Sequence, residues 1–173
     1  MKTIFLFLSL SFFLFLLGCS QDSNQNHLNS SQNLKEPLIE ANKARISLES
    51  DQINAYVKRR KWDVNTTGTG LRYKITKHGN GDSVKIGQTV TVNYEVSLLS
   101  GKKCYSTNKK PQKFVVGMDN VESGLHEAMQ YLKVGDHAIL ILPSHLAHGL
   151  IGDRNKIPAK STIIYDIQLL AAE

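Results

Sequence analysis

Leu142-Pro143-Ser144-His145-Leu146-Ala147-His148-Gly149, followed by Ile157-Pro158 and then by Ile163-Ile164-Tyr165-Asp166-Ile167, is the part of this chain that decides its fold. An apolar strand ends at Leu142. A short turn carrying two histidines follows, then a glycine- and charge-rich loop, then a strand of alternating character. A long loop pinned between two core strands is where a small domain usually keeps its binding surface. Outward from this stretch the hydrophobic period is two. Residues 138–142 are apolar on both faces, which predicts a central strand. Residues 161–170 place Ile163, Tyr165, Ile167 and Leu169 on one face. Upstream, Val90, Val92, Tyr94, Val96 and Leu98 alternate with Thr89, Thr91, Asn93, Glu95 and Ser97, as a half-buried strand requires. Leu71, Tyr73 and Ile75 alternate in the same way with Arg72, Lys74 and Thr76. Shorter strands are predicted at 102–107 and 112–116. Ser123 is positioned to cap a helix whose Leu125, Ala128, Met129 and Leu132 make one apolar face. The class is α+β: one antiparallel sheet with a single short helix packed across it, over about 100 residues.

The rest of the 173 residues reads as appendages. Lys2 precedes an apolar run at 4–17 that ends in Leu16-Leu17-Gly18-Cys19. The run is short for a membrane span and suits a signal-peptide core. Gly18-Cys19 resembles the lipobox of bacterial lipoproteins. That resemblance implies removal of residues 1–18 and lipidation of Cys19, and multiple acyl chains anchor stably. An ordinary cleaved secretory signal is the alternative. Residues 19–34 are rich in Ser, Asn and Gln, too poor in apolar groups to offset their ordering entropy, and are expected to form a flexible tether. A helical arm is expected at 35–64, with Pro37 in its first turn and Ile53, Tyr56 and Val57 as one stripe. Ser50-Asp51 is a candidate break that would split it into two helices. The arm either packs on the domain or pairs with another chain.

Charge and cysteines narrow the classes. A net charge of +6 and a pI near 9.3 allow attraction to acidic partners or anionic lipid. The one dense run, Lys58-Arg59-Arg60-Lys61, closes a helix, where cations complement the dipole, and no nucleic-acid surface is recognisable. With Cys19 lipidated, Cys104 has no partner for an intrachain disulfide, so it is either buried and inert or a free thiol. His145 and His148 could begin a metal site with His126 or Asp153, but their spacing supplies no convincing third ligand. No metal or other cofactor is expected. Asp153-Arg154-Asn155-Lys156 reads as a solvated loop tip, and Tyr94 and Tyr165, on apolar strand faces, read in isolation as core.

The order of motifs nevertheless resembles one family. Gly87-Gln88-Thr89-Val90-Thr91-Val92-Asn93-Tyr94, Gly101-Lys102-Lys103, Phe114-Val115-Val116-Gly117, Gly124-Leu125, Val134-Gly135, Leu142-Pro143-Ser144, Ala147-His148-Gly149 and Ile157-Pro158 stand in sequence across 69–173. Together they are similar to the FKBP-type peptidyl-prolyl cis-trans isomerases. The lipobox, tether and arm resemble FKBP-type lipoproteins of gliding Gram-negative bacteria, some linked to the gliding machinery. The resemblance implies an FKBP-like sheet wrapped around the short helix and an enzyme that rotates X-Pro bonds in exported proteins. It also implies proline-containing polypeptides and envelope-complex proteins as partners. The place implied is the bacterial cell envelope, lipid-anchored and facing the periplasm or cell surface. The residues it implies as catalytic are Tyr94, Tyr105, His148 and Tyr165, with Phe114, Val121, Glu122, Leu125 and Ile157 binding substrate. Cys104 and Gln112 fall at pocket positions that are aromatic in the family. Leu125 stands where the best-known members have a tryptophan floor, and His148 where they have a tyrosine. Glu122 is expected to offer its backbone N–H. Tyr105 replaces an aspartate linked to catalysis, a departure that favours the alternative of a catalytically weak, proline-peptide-binding or structural module.

Overall fold

The computed structural model describes residues 25–107 and 110–173. The expected signal segment (1–18), the expected lipidation site Cys19 and the start of the expected tether lie outside the described residues. Two units divide the chain, Met1–Arg45 and Ile46–Glu173. Helix α1 (Gln25–Arg60) begins in the first and ends in the second. Its boundaries differ from expectation: it starts within the expected tether, contains Pro37 in its interior and runs without a break through Ser50-Asp51. Ser, Asn and Gln have middling helix propensities rather than prohibitive ones, and no glycine interrupts the segment. Lys58, Arg59 and Arg60 occupy its last turn, as the dipole argument requires.

In the second unit β1 (Asn65–Thr66), β2 (Arg72–Lys77), β3 (Thr89–Leu98), β4 (Lys103–Ser106), β5 (Gln112–Val115), β6 (His137–Leu142) and β7 (Ile163–Ala172) form one antiparallel sheet. The order is β1-β2-β6-β7-β3-β4, with β5 also on β3. β3 organises it. One edge pairs with β7 from Val90↔Ala172 to Leu98↔Ile163. The other edge is shared, β5 taking Thr89–Val92 and β4 taking Glu95–Ser97. Helix α2 (Ser123–Met129) buries Gly124, Leu125, Ala128 and Met129. Ser123 is not its cap, contrary to expectation. Glu122 holds that position without a side-chain cap bond, and the Ser123 hydroxyl donates to the Leu146 carbonyl at 3.4 Å.

The doubly apolar pattern of β6 has a specific cause. Ala138, Leu140 and Leu142 join the main core with Leu125, Ala128, Met129 and Leu132. Ile141, with Ile164 of β7, is buried on the other face against Ile53 and Tyr56 of α1. Ile53, Tyr56 and Val57 of the arm therefore pack on the sheet, the first of the two fates open to it. Trp62, just past the helix, meets Tyr56 edge-on with ring centroids 5.8 Å apart, and the Arg60 guanidinium lies over both rings. Arg72, expected on the open face of β2, is buried. It donates to Gly70 O (2.9 Å), Ser50 Oγ (2.8 Å) and Asn54 Oδ1 (3.0 Å).

α2 sits close to β6 because Gly124 allows it. A Cβ there would lie 2.7 Å from Leu142 Cγ and 3.0 Å from Leu146 Cβ. Alanine at this position would improve helix propensity by about 1 kcal/mol but overpack a fully buried leucine, typically costing about 1–3 kcal/mol. Gly124→Ala is therefore expected to lower stability by up to about 2 kcal/mol, read as a lower denaturant midpoint at unchanged slope.

Candidate functional site

Five elements converge on one open cavity of about 590 Å³. β3 supplies Tyr94 and Val96, β4 Tyr105, β5 Gln112, Lys113 and Phe114, the approach to α2 supplies Asn120, Val121 and Glu122, and α2 itself Leu125. The loop from β6 to β7 adds Ala147, His148, Asp153, Asn155 and Ile157, and β7 adds Tyr165. All nine side chains predicted within the described residues thus line a single site: Tyr94, Tyr105, Phe114, Val121, Glu122, Leu125, His148, Ile157 and Tyr165. Gln112 is at the rim and exposed, while Cys104 is behind the wall.

The strand register explains the aromatic corner. Tyr94 is opposite Ile167 and Val96 opposite Tyr165, so the two tyrosines are diagonal neighbours on the pocket face. Their rings meet edge-on, 5.3 Å apart at 68°. Phe114, buried at the end of β5, makes a similar contact with His126 at 5.9 Å.

Two carboxylates reach the cavity in ways the sequence did not disclose. Glu122 was expected to offer its backbone N–H; in addition its Oε1 lies 3.0 Å from His148 Nε2, and the carboxylate bonds to the Tyr165 hydroxyl. Burial, and then the Glu122 charge, raise the Tyr94 phenol and hold the Tyr165 phenol well above the usual tyrosine range, so both stay protonated. His148 lines the cavity with its Nε2 engaged by Glu122. Asp153, read from sequence as a solvated tip, accepts the Tyr105 hydroxyl through Oδ2. It accepts the Asn155 and Ile157 N–H groups through Oδ1, each at 2.8 Å. The Asp153 bond is the main reason the Tyr105 phenol is raised. The Lys156 ammonium stands 5.0 Å from the Tyr105 ring centroid. A clue to Asp153 was present in Gly152-Asp153-Arg154-Asn155, an aspartate placed to bond the backbone just after it. Gly152 has φ +68°, and a Cβ there would lie 2.3 Å from the Ile157 carbonyl oxygen, so the loop closes on itself only with glycine.

The histidines considered as metal ligands are held apart by separate partners. His145 Nε2 meets Thr69 O at 2.9 Å. His126 Nδ1 accepts Gly117 N–H at 2.8 Å while its Nε2 meets Asp119 O at 2.9 Å. Cys104 is buried; its Sγ points to the Lys156 carbonyl at 3.6 Å, and burial raises its pKa, so of the two sequence readings the inert one fits. What remains is an aromatic, partly enclosed slot whose polar groups are largely satisfied from within. Among the described residues that line it there is no serine, threonine or cysteine.

A family profile described as FKBP-type peptidyl-prolyl cis-trans isomerase matches residues 81–170. The chain is 32% identical over 146 residues to a probable FKBP-type peptidyl-prolyl cis-trans isomerase of Haemophilus influenzae, covering 80% of this chain and 60% of that protein. It is 34% identical over 107 residues to the FKBP-type peptidyl-prolyl cis-trans isomerase FkpA of Escherichia coli K12, covering 62% and 39%. The chain thus spans less than two thirds of these relatives' lengths. Its structure is similar to the crystal structure of FkpA from Escherichia coli, with TM-score 0.64 and 26% identity over 100% of this chain and 82% of that one. A peptidyl-prolyl cis-trans isomerase from Pseudomonas syringae pv. tomato gives TM-score 0.63 and 25% identity over 76% and 95%.

Desolvation works against the Asp153 charge, but the bonds from Tyr105 and from the Asn155, Ile157 and Lys156 amides prevail and hold its pKa at about 2. The folded value is below the unfolded one of about 3.9. The linked stability is therefore fully present above that unfolded value and lost as pH falls through about 2. Asp153→Asn should destabilise the protein near pH 7, with the gap from wild type closing between about pH 4 and pH 2. Unfolding midpoints measured across that range check this; a constant gap contradicts it.

Proposed function

The chain belongs to the FKBP-type peptidyl-prolyl cis-trans isomerase family, and on that premise we propose that it accelerates X-Pro bond rotation in exported polypeptides. The observation that carries the reading is the cavity itself, where Tyr94, Phe114, Ile157 and Tyr165 meet around a space suited to a proline ring. Amide resonance sets a barrier of about 18–20 kcal/mol, and unaided exchange takes roughly tens to hundreds of seconds. As the bond twists, conjugation between nitrogen and carbonyl is lost and the amide becomes less dipolar. A slot that excludes water then favours the twisted state over the planar one, which is differential binding rather than covalent chemistry.

In this reading Leu125 is the floor, Val121 and Ile157 flank the ring, and Tyr94 and Tyr165 form the aromatic corner. Glu122 and His148 brace each other and orient the Tyr165 hydroxyl. Tyr105 is a wall fixed by Asp153. A second reading, a catalytically weak proline-peptide-binding module of an envelope or gliding complex, draws support from Tyr105 at the position of the family aspartate.

Exchange spectroscopy of a short X-Pro peptide with the full chain separates the two. Acceleration at catalytic protein concentration supports the enzyme; binding without acceleration supports the module. Phe114→Leu keeps apolar bulk but removes the aromatic edge, and should lower kcat/KM about three- to tenfold, up to about 1.4 kcal/mol of transition-state stabilisation.

The lipid-anchored placement in the cell envelope rests on Lys2, the apolar run at 4–17 and Leu16-Leu17-Gly18-Cys19. Among the described residues no helix is long and apolar enough to cross a membrane. Cys19→Ala should leave an unprocessed precursor or shift the protein out of the membrane fraction, and unchanged processing and attachment would count against lipidation.

A further inference from the structure

The half of α1 that lies on the sheet carries one acidic side chain whose partners are all at the roots of the pocket loop. Glu49 Oε1 accepts the Ser144 N–H at 2.7 Å and the Thr162 hydroxyl at 2.6 Å, and Oε2 accepts the Ser144 hydroxyl at 2.8 Å. Ser144 and Thr162 are both buried. They are the two stems of the segment between β6 and β7, the segment that delivers His148, Asp153 and Ile157 to the cavity. One carboxylate therefore closes the base of that loop.

The bonding continues from the stems toward the site. The Ser144 carbonyl accepts the Ala147 N–H at 3.1 Å and the Gly149 N–H at 2.8 Å, bracketing His148, whose ring contacts Glu122. The Gly149 carbonyl accepts the Lys160 N–H at 2.8 Å, linking the outgoing and returning strands of the loop. On the other side, Thr162 leads directly into Ile163 and so to Tyr165. Arg72, the neighbouring cation, is engaged with Ser50 and Asn54 one and five residues along the same helix, so the carboxylate stands beside a fixed positive charge.

We propose that Glu49 is a positioning residue: by holding Ser144 and Thr162 together it sets the geometry of the β6–β7 loop, and the docking of α1 on the sheet is thereby transmitted to the affinity of the pocket. The effect on peptide rests on reading the cavity as the proline site; the effect on the loop does not. A carboxylate can accept all three bonds at once. Glutamine has one good acceptor oxygen and presents an amide donor where donors already point. Mere adhesion of the helix would predict something different, a loss spread over the whole fold.

The test is amide hydrogen exchange on the full chain for wild type, Glu49→Gln and Ile53→Val, the last trimming the same helix interface while leaving the carboxylate in place. Binding of a short Leu-Pro peptide is measured alongside. Glu49→Gln should speed exchange of amides in 145–160 about tenfold while those of β3 and β6 change no more than in Ile53→Val. The peptide Kd should weaken about fivefold or more. Uniform acceleration across strands and loop, or a loop unchanged from wild type, overturns the proposal. So does a loosened loop with an unaltered Kd. A wild type that binds no proline peptide overturns the site reading instead, and the exchange data still decide the role of Glu49. Should Glu49→Gln not fold, Thr162→Val removes one stem donor at constant shape and is expected to give a smaller acceleration confined to the same loop.

Discussion

The pairing of β3 with β7 is the constraint on which everything else rests. It is the longest ladder in the sheet, and the aromatic corner is a consequence of its register. Tyr94 and Tyr165 are far apart in sequence and meet because Val96 opposes Tyr165 while Tyr94 opposes Ile167. A slip of one residue in either strand would turn that strand's tyrosine to the opposite face and bring Asn93 or Asp166 inward. The buried alternation of Val90, Val92 and Val96 against Ile163, Ile167 and Leu169 excludes that slip, so the same side chains that build the core also fix the site.

The pocket mixes apolar and polar side chains yet is largely self-contained electrostatically. Glu122 is matched by His148 and the Tyr165 hydroxyl, and Asp153 by Tyr105 and loop amides. Each carboxylate is thus compensated by donors from the protein, as partly buried charge demands. A ligand entering the slot meets ring faces and edges more than bare charge. The two carboxylates also join elements distant in the chain: Glu122 ties the start of α2 to the β6–β7 loop, and Asp153 ties that loop to β4.

The sheet was legible because a period of two is a local signal. Val90 to Leu98 could be assigned by inspection, and β6 stood out because Ala138 to Leu142 have no polar face. The motif order named nine side chains that line one cavity for the same reason: each sits at a fixed offset from a strand or turn that is itself legible. The misses are non-local. Arg72 looked solvent-facing because nothing in its strand reveals that α1 lies on that face. Asp153 looked like a loop tip because its partner, Tyr105, is 48 residues away. Glu49 and Thr162 are separated by 113 residues, and no pattern in either neighbourhood announces the other. The extent of α1 was missed for a different reason: a polar composition argues against a buried core but not against a helix, and Pro37 lies in the interior of one.

The protein has a single tryptophan, and its location gives the molecule an unusual optical property. Trp62 sits beside Tyr56 and Arg60 at the end of α1, on the face of the sheet away from the aromatic slot, whose floor is Leu125. Tryptophan emission, excited to the red of tyrosine absorption, therefore reports on the seating of the helix rather than on what fills the slot. Emission and ligand occupancy are separate channels, so a spectral change on adding peptide would signal movement transmitted across the sheet rather than contact with the fluorophore.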